Sequence, residues 1–187
     1  MKLPAVLSLV LLTAACAKPL EVGSITEIKP RTAGAQGLDV YAKRRAAGEA
    51  VPAMAGDQVV EVRTYSAGTP DKAREEMAGA ACSLSTGDFV ADFTTPAKVR
   101  VPNYRDKSSV LAVSCDKAGY QRKLQEVAVY NATKANNLAA GSGAGVVGLV
   151  VALAVNEMGD TSAHTFIYPP ILLDMEAVEQ KHASAAR

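Results

Sequence analysis

The sequence has no tryptophan and only three phenylalanines, and aromatic residues fill just 5% of its 187 positions. Its 49% hydrophobic content is therefore carried largely by alanine and valine, which bury little area per side chain. An excess of one charge is also missing: twenty Lys and Arg face nineteen Asp and Glu, for a formal charge of +1. Neutralising a phosphate backbone calls for a basic surplus, so no nucleic-acid partner is expected. Composition also argues against collagen-like, strongly disordered and disulfide-dense classes. No Cys-x-x-Cys and no Gly-x-Ser-x-Gly occurs, and His164 and His182 stand apart from other ligands at metal spacing. Glu75-Glu76 and Glu157/Asp160 read as solvated charges. The expectation is a non-enzymatic protein with no catalytic residue, metal ligand or cofactor. The length fits one domain plus extensions.

What is present begins at the N-terminus. Lys2 precedes an apolar stretch over residues 3–12, broken only by Pro4 and Ser8 and followed by small residues. This pattern predicts a secretory signal peptide over residues 1–15, too short to span a membrane. The stretch ends in Thr13-Ala14-Ala15-Cys16, which resembles a bacterial lipobox. The resemblance implies that Cys16 carries acyl chains such as palmitate and becomes the first mature residue. Ala17 and Lys18 follow it, with no Asp, which by likeness to the sorting rule of enteric bacteria implies the outer membrane, facing the periplasm. Ala15-Cys16-Ala17 also fits the small-x-small rule of plain cleavage, which would release a soluble periplasmic protein starting at Lys18. Exported proteins tend to pair their thiols, and this chain has three. If Cys16 carries lipid, Cys82 and Cys115 remain as one structural disulfide. It would close a loop of about 34 residues and contribute about 3–4 kcal/mol in a chain-entropy treatment.

Residues 16–56, rich in Lys, Gly, Ala and Pro, read as a lipid-anchored flexible tether. A short helix within 38–47 would expose Lys43, Arg44 and Arg45. The folded domain is expected over residues 57–175, opening with a strand at 58–65. Thr69-Pro70 then looks like the cap and first position of a helix running to Ala80. Beyond it, apolar residues fall at every second position: Phe89, Ala91 and Phe93; Ala97, Val99 and Val101; Leu111, Val113 and Cys115. That period of two predicts an antiparallel meander with one buried face. Residues 165–173 read as an edge strand interrupted by Pro169-Pro170, and a short helix follows from Met175 into a tail over 176–187.

Cys82-Ser83-Leu84, then residues 95–101, then residues 111–120 resemble a PEGA-like module. The likeness is to small bacterial envelope lipoproteins with two cysteines flanking such a module and a Gly-rich apolar segment after it. It implies a small β-sandwich without catalytic residues. The expected fold class is thus α+β: a small antiparallel sandwich or meander with short flanking helices and a Gly-rich helix.

Residues 138–155 hold no charge, and Gly141, Gly145, Gly148 and Ala152 make a small-residue face at helical spacing. Three readings stay open: a helix packed on the sheet, a Gly-zipper helix against membrane or a second copy, and a true span. Gly143-Ala144-Gly145-Val146-Val147-Gly148 also spells G-x-G-x-x-G, but no strand leads into Gly143, as a dinucleotide site requires. The functional expectation is an envelope lipoprotein acting through contacts, with the membrane, a second copy or another envelope protein as partner. The alternative is a periplasmic binding module for a cell-wall or small apolar ligand.

Overall fold

Alternating burial along successive strands sets the architecture. The computed structural model describes residues 18–35, 37–68, 73–135 and 163–178. Of these, 45% are strand and 9% helical. The strands are β1 (Ile25–Glu27), β2 (Lys29–Pro30), β3 (Gly56–Ser66), β4 (Glu76–Met77), β5 (Ala81–Ser85) and β6 (Phe89–Thr94). They continue with β7 (Ala97–Asn103), β8 (Leu111–Asp116), β9 (Lys123–Val127), β10 (Tyr130–Asn131), β11 (Phe166–Ile167) and β12 (Ile171–Met175). One short helix, α1 (Ala42–Ala46), precedes β3, and a 3-10 turn (Arg105–Lys107) precedes β8.

Two five-stranded sheets enclose one core. The first has the order β1-β7-β3-β12, with β4 added to β3, and the second has the order β2-β6-β5-β8-β9. In the first, β3 and β7 are antiparallel, while β1 runs parallel to β7 and β12 parallel to β3. Val60, Val62, Val99, Val101, Ile171, Leu173 and Met175 from this sheet meet Leu84, Phe89, Ala91, Leu111 and Val113 from the other, all buried. Period-two alternation produces this directly, because successive side chains point to opposite faces.

The sheets are joined at both sides by strands that change partner. β1 pairs with β7, and two residues later β2 pairs with β6, so one extended segment passes from sheet to sheet while Ile28 points into the core. On the other side, the end of β12 reaches the β8–β9 turn. There Gln121 donates its backbone N–H to Glu176, Val178 donates to Gly119, and Tyr120 bridges Ala177. Such corners close a sandwich against edge pairing.

Several expectations are corrected. The described fold is mainly β rather than α+β. In the described part of the expected 69–80 helix, residues 73–80, no helix forms: Glu76 and Met77 pair with Tyr65 and Thr64 as β4. Good local helix formers yield there because the edge of β3 beyond its pairing with β7 offers hydrogen bonds, including Ser66 N to the Glu75 carbonyl and Thr64 Oγ1 to the Met77 carbonyl. Met175, expected to open a terminal helix, ends β12 instead, because Ile171, Leu173 and Met175 alternate into the core. The strands are not a plain meander either, since β7 leaves the second sheet for the first.

The segment expected as a tether is built into the domain. Ile28, Val40 and Tyr41 are buried in the core, and β1 and β2 take edge positions in the two sheets. Leu38 and Val51 pack partly against the same core, whereas Leu20 and Ile25 stay exposed. The short helix within 38–47 appears as α1, carrying Lys43, Arg44 and Arg45. The signal peptide, Cys16, the Gly-rich run over 138–155, Thr69-Pro70 and the tail beyond 178 lie outside the described residues.

Candidate functional site

Of the residues singled out from sequence, Cys82 and Cys115 fall within the described structure. They are register partners on β5 and β8, two neighbouring strands of the second sheet. Their sulfurs are bonded at 1.99 Å, with Cα atoms 4.1 Å apart. Both side chains face the core, where Cys115 is fully buried and Cys82 nearly so. The bridge is thus a cross-strand staple shielded from solvent. Cys16 and the small-residue face of Gly141, Gly145, Gly148 and Ala152 lie outside the described residues.

Along the same strands lies an open groove of about 490 Å³ that reaches from their solvent face to Cys82. Ser83, Asp92, Phe93, Ser114, Asp116 and Arg122 line it. Ser83 is the register partner of both Asp92 and Ser114, so three polar side chains stand side by side across β6, β5 and β8. Arg122 donates from Nε to Ser114 Oγ at 2.8 Å and pairs with Asp116 at 3.3 Å. The groove offers hydroxyl and carboxylate acceptors beside a half-buried ring.

A second feature surrounds the two ends of the segment that contains the glycine run. Asn131 and Phe166 are register partners in the β10–β11 ladder, so the chain leaves and returns at one place. The stem is bonded from Ala132 N to the Thr165 carbonyl at 2.8 Å and from Thr165 N to Thr133 Oγ1 at 3.0 Å. Buried Asn131 accepts from Lys134 N through Oδ1 at 3.0 Å, and its amide lies 2.8 Å from His164 Nδ1. Arg105 donates to the His164 carbonyl at 3.1 Å, and Asn103 Nδ2 to that of Phe166 at 2.7 Å. Arg105 holds φ 59°, left-handed backbone uncommon outside glycine, while its N–H donates to Asn103 Oδ1. His164, which stood apart from other metal ligands in sequence, is half-buried in this clamp.

A third cluster fixes the N-terminal segment. Tyr104 OH donates to Asp39 Oδ1 at 3.1 Å, Asp39 pairs with Arg45, and Tyr41 OH donates to Asp88 Oδ2 at 2.6 Å. The Tyr41 and Tyr104 rings pack 4.8 Å apart. Burial works against the Asp39 carboxylate, but hydrogen bonds from Arg45 and Tyr104 outweigh it and hold its pKa below the usual value. Burial pushes the Tyr104 phenol well up, and the neighbouring Asp39 charge adds to this. Tyr168, whose OH donates to the Ser109 carbonyl at 2.6 Å, is pushed up to about 12 mainly by burial. Sequence reading passed over these groups. The available signal was that a chain so short of aromatics places three of its six tyrosines near turns.

Comparison with family models, with curated proteins and with solved structures finds no match to this chain. Among the described residues, no helix is long and apolar enough to cross a membrane, and no group of three His, Cys, Asp or Glu side chains is placed to hold a metal ion.

Proposed function

We propose that this chain is a non-enzymatic lipoprotein of the bacterial cell envelope, anchored through Cys16 to the outer membrane and facing the periplasm, and working through protein or membrane contacts. The observation that carries this reading is the Lys2, apolar, Thr13-Ala14-Ala15-Cys16 sequence, joined to the cysteine pairing. Cys82 and Cys115 consume each other, which leaves Cys16 as the single remaining thiol. A buried disulfide also suits an oxidising compartment. Kinship with the PEGA-like envelope lipoproteins is part of the proposal, and the segments behind it fall on β5, β7 and β8.

The second reading, a binding module, is favoured by the groove along β5, β6 and β8. Its polar lining suits a hydroxyl-rich cell-wall fragment. An apolar ligand held between the sheets has less support, because Leu84, Leu111, Val113, Ile171 and Leu173 occupy that space with no exposed surface.

The test is metabolic palmitate labelling of the full chain in a bacterial host. The wild type is expected to take label into the membrane fraction, and Cys16→Ser to lose both label and membrane association. Label that persists in Cys16→Ser, or a wild type released unlabelled into the periplasm, would overturn the anchor.

A further inference from the structure

We infer that the outer face of the β1-β7-β3-β12 sheet is the surface this protein lays against the membrane, an inference that rests on the Cys16 anchor proposed above. The first support is reach. Leu20 is tied down at both backbone groups: its N–H donates to Glu76 Oε2 at 2.9 Å, and its carbonyl accepts from Arg63 Nη1 at 3.1 Å. Arg63 and Glu76 belong to β3 and β4 of that sheet. Leu20 lies four residue steps beyond Cys16 along the chain, a covalent reach of at most about 14 Å. An acylated Cys16 therefore holds this side of the sandwich against the lipid headgroups, with no long spacer between.

The second support is what this face presents. Ile25 and Val59 are each 39% exposed, Leu172 is 42% exposed, and Leu20 is 38% exposed. Register puts the first three on one surface. Ile25 lies opposite Lys98, Lys98 opposite Glu61, and Val59, Glu61 and Arg63 alternate along β3 on the side away from the core, with Leu172 opposite Arg63. Four of the seven exposed large apolar side chains among the described residues thus gather on or over one sheet face. Such side chains are stabilised when they leave water for the headgroup boundary.

The third support is charge. The arginines between these apolar residues are already paired: Arg100 with Glu27 and Asp57, Arg63 with Glu61 and Glu76, Arg74 with Asp174. With its arginines paired, the face can approach zwitterionic headgroups with little net charge, Lys98 being a cation of that face outside these pairs. Its contact should depend little on anionic lipid or on salt.

The absence of tryptophan makes the test clean, because one Trp introduced by substitution reports alone. Val59→Trp and Leu172→Trp mark the proposed face. Leu124→Trp marks the outer face of the other sheet, where Leu124 is the partner of Ser114. Each full-length lipidated variant is reconstituted into phosphatidylethanolamine–phosphatidylglycerol vesicles with brominated acyl chains. Quenching at positions 59 and 172 is expected to be several-fold stronger than at 124, because stacked sheets stand about 10 Å apart. Equal quenching at all three sites, or stronger quenching at 124, would overturn the orientation while palmitate labelling upholds the anchor. Val59→Trp shielded from an aqueous quencher only in whole envelopes, and not in vesicles, would assign the face to a protein partner and overturn the membrane reading. Loss of label at Cys16 would remove the anchor and this inference together.

Discussion

At the scale of single residues, the Cys82–Cys115 bridge acts chiefly on the unfolded chain. Its two strands are already neighbours in the ladder, so reduction frees a loop in the denatured state more than it alters the native sheet. The double variant Cys82→Ala/Cys115→Ala is expected to lose about 3–4 kcal/mol in denaturant melts, against a typical domain stability of about 5–15 kcal/mol. A loss under about 1 kcal/mol would mean that the denatured chain is held compact by other contacts. Tyr104→Phe removes one donor from the Asp39 carboxylate and leaves Arg45 in place. About 1.5–3 kcal/mol should be lost in the same melts, the range for a hydrogen bond to a charged acceptor. Neither Asp39 nor Tyr104 advertises itself in sequence, since they lie 65 positions apart and meet only when the N-terminal segment docks.

Among elements, the N-terminal segment departs furthest from what its composition implied. A stretch of Lys, Gly, Ala and Pro has the texture of a linker, and only the placement of Ile28, Val40 and Tyr41 in the core makes it structural. Burying three such side chains contributes about 5–8 kcal/mol, comparable to the net stability of a whole domain. Deleting residues 18–55 is therefore expected to abolish the cooperative thermal transition seen by circular dichroism, whereas a free tether could be removed with no change in midpoint. The strands at 97–101 and 111–116 were legible because their faces differ in polarity at every step. β4 was not, because its two residues are strand only through what β3 offers them. Local preference decides an element where burial is even-handed, and tertiary partners decide it at an exposed sheet edge.

For the whole molecule, the ionisable groups in the docking cluster set a pH window. The Asp39 pKa is depressed on folding, so its contribution is present above the ordinary value of 3.8 and is lost as pH falls through the lower, folded value. The phenols work in the opposite direction. Tyr41, Tyr104 and Tyr168 have raised pKa values in the fold, so stability is full below the ordinary value of 10.0 and declines as pH rises, through about 12 for Tyr168. Melting temperature plotted against pH should be flat between these limits and fall on both sides. Tyrosinate absorbance should lag behind that of free tyrosine until the chain unfolds. Tyr104→Phe should narrow the alkaline fall.

The sequence by itself supplied the pattern read as an export signal, the likeness of its end to a lipobox, the odd cysteine count and the period-two strands. These are local patterns whose meaning does not depend on distant partners. Tertiary structure decided that β7 leaves the second sheet, that β1 and β2 bridge the two, and that the supposed tether is part of the core. It also decided which outward side chains share a face, and so gathered Ile25, Val59 and Leu172 on one surface beside a docked Leu20. The physical reason is that pairing register and sheet order are set by contacts between segments far apart in the chain. Alternation says which side chains are inward, but not which strands will lie beside them.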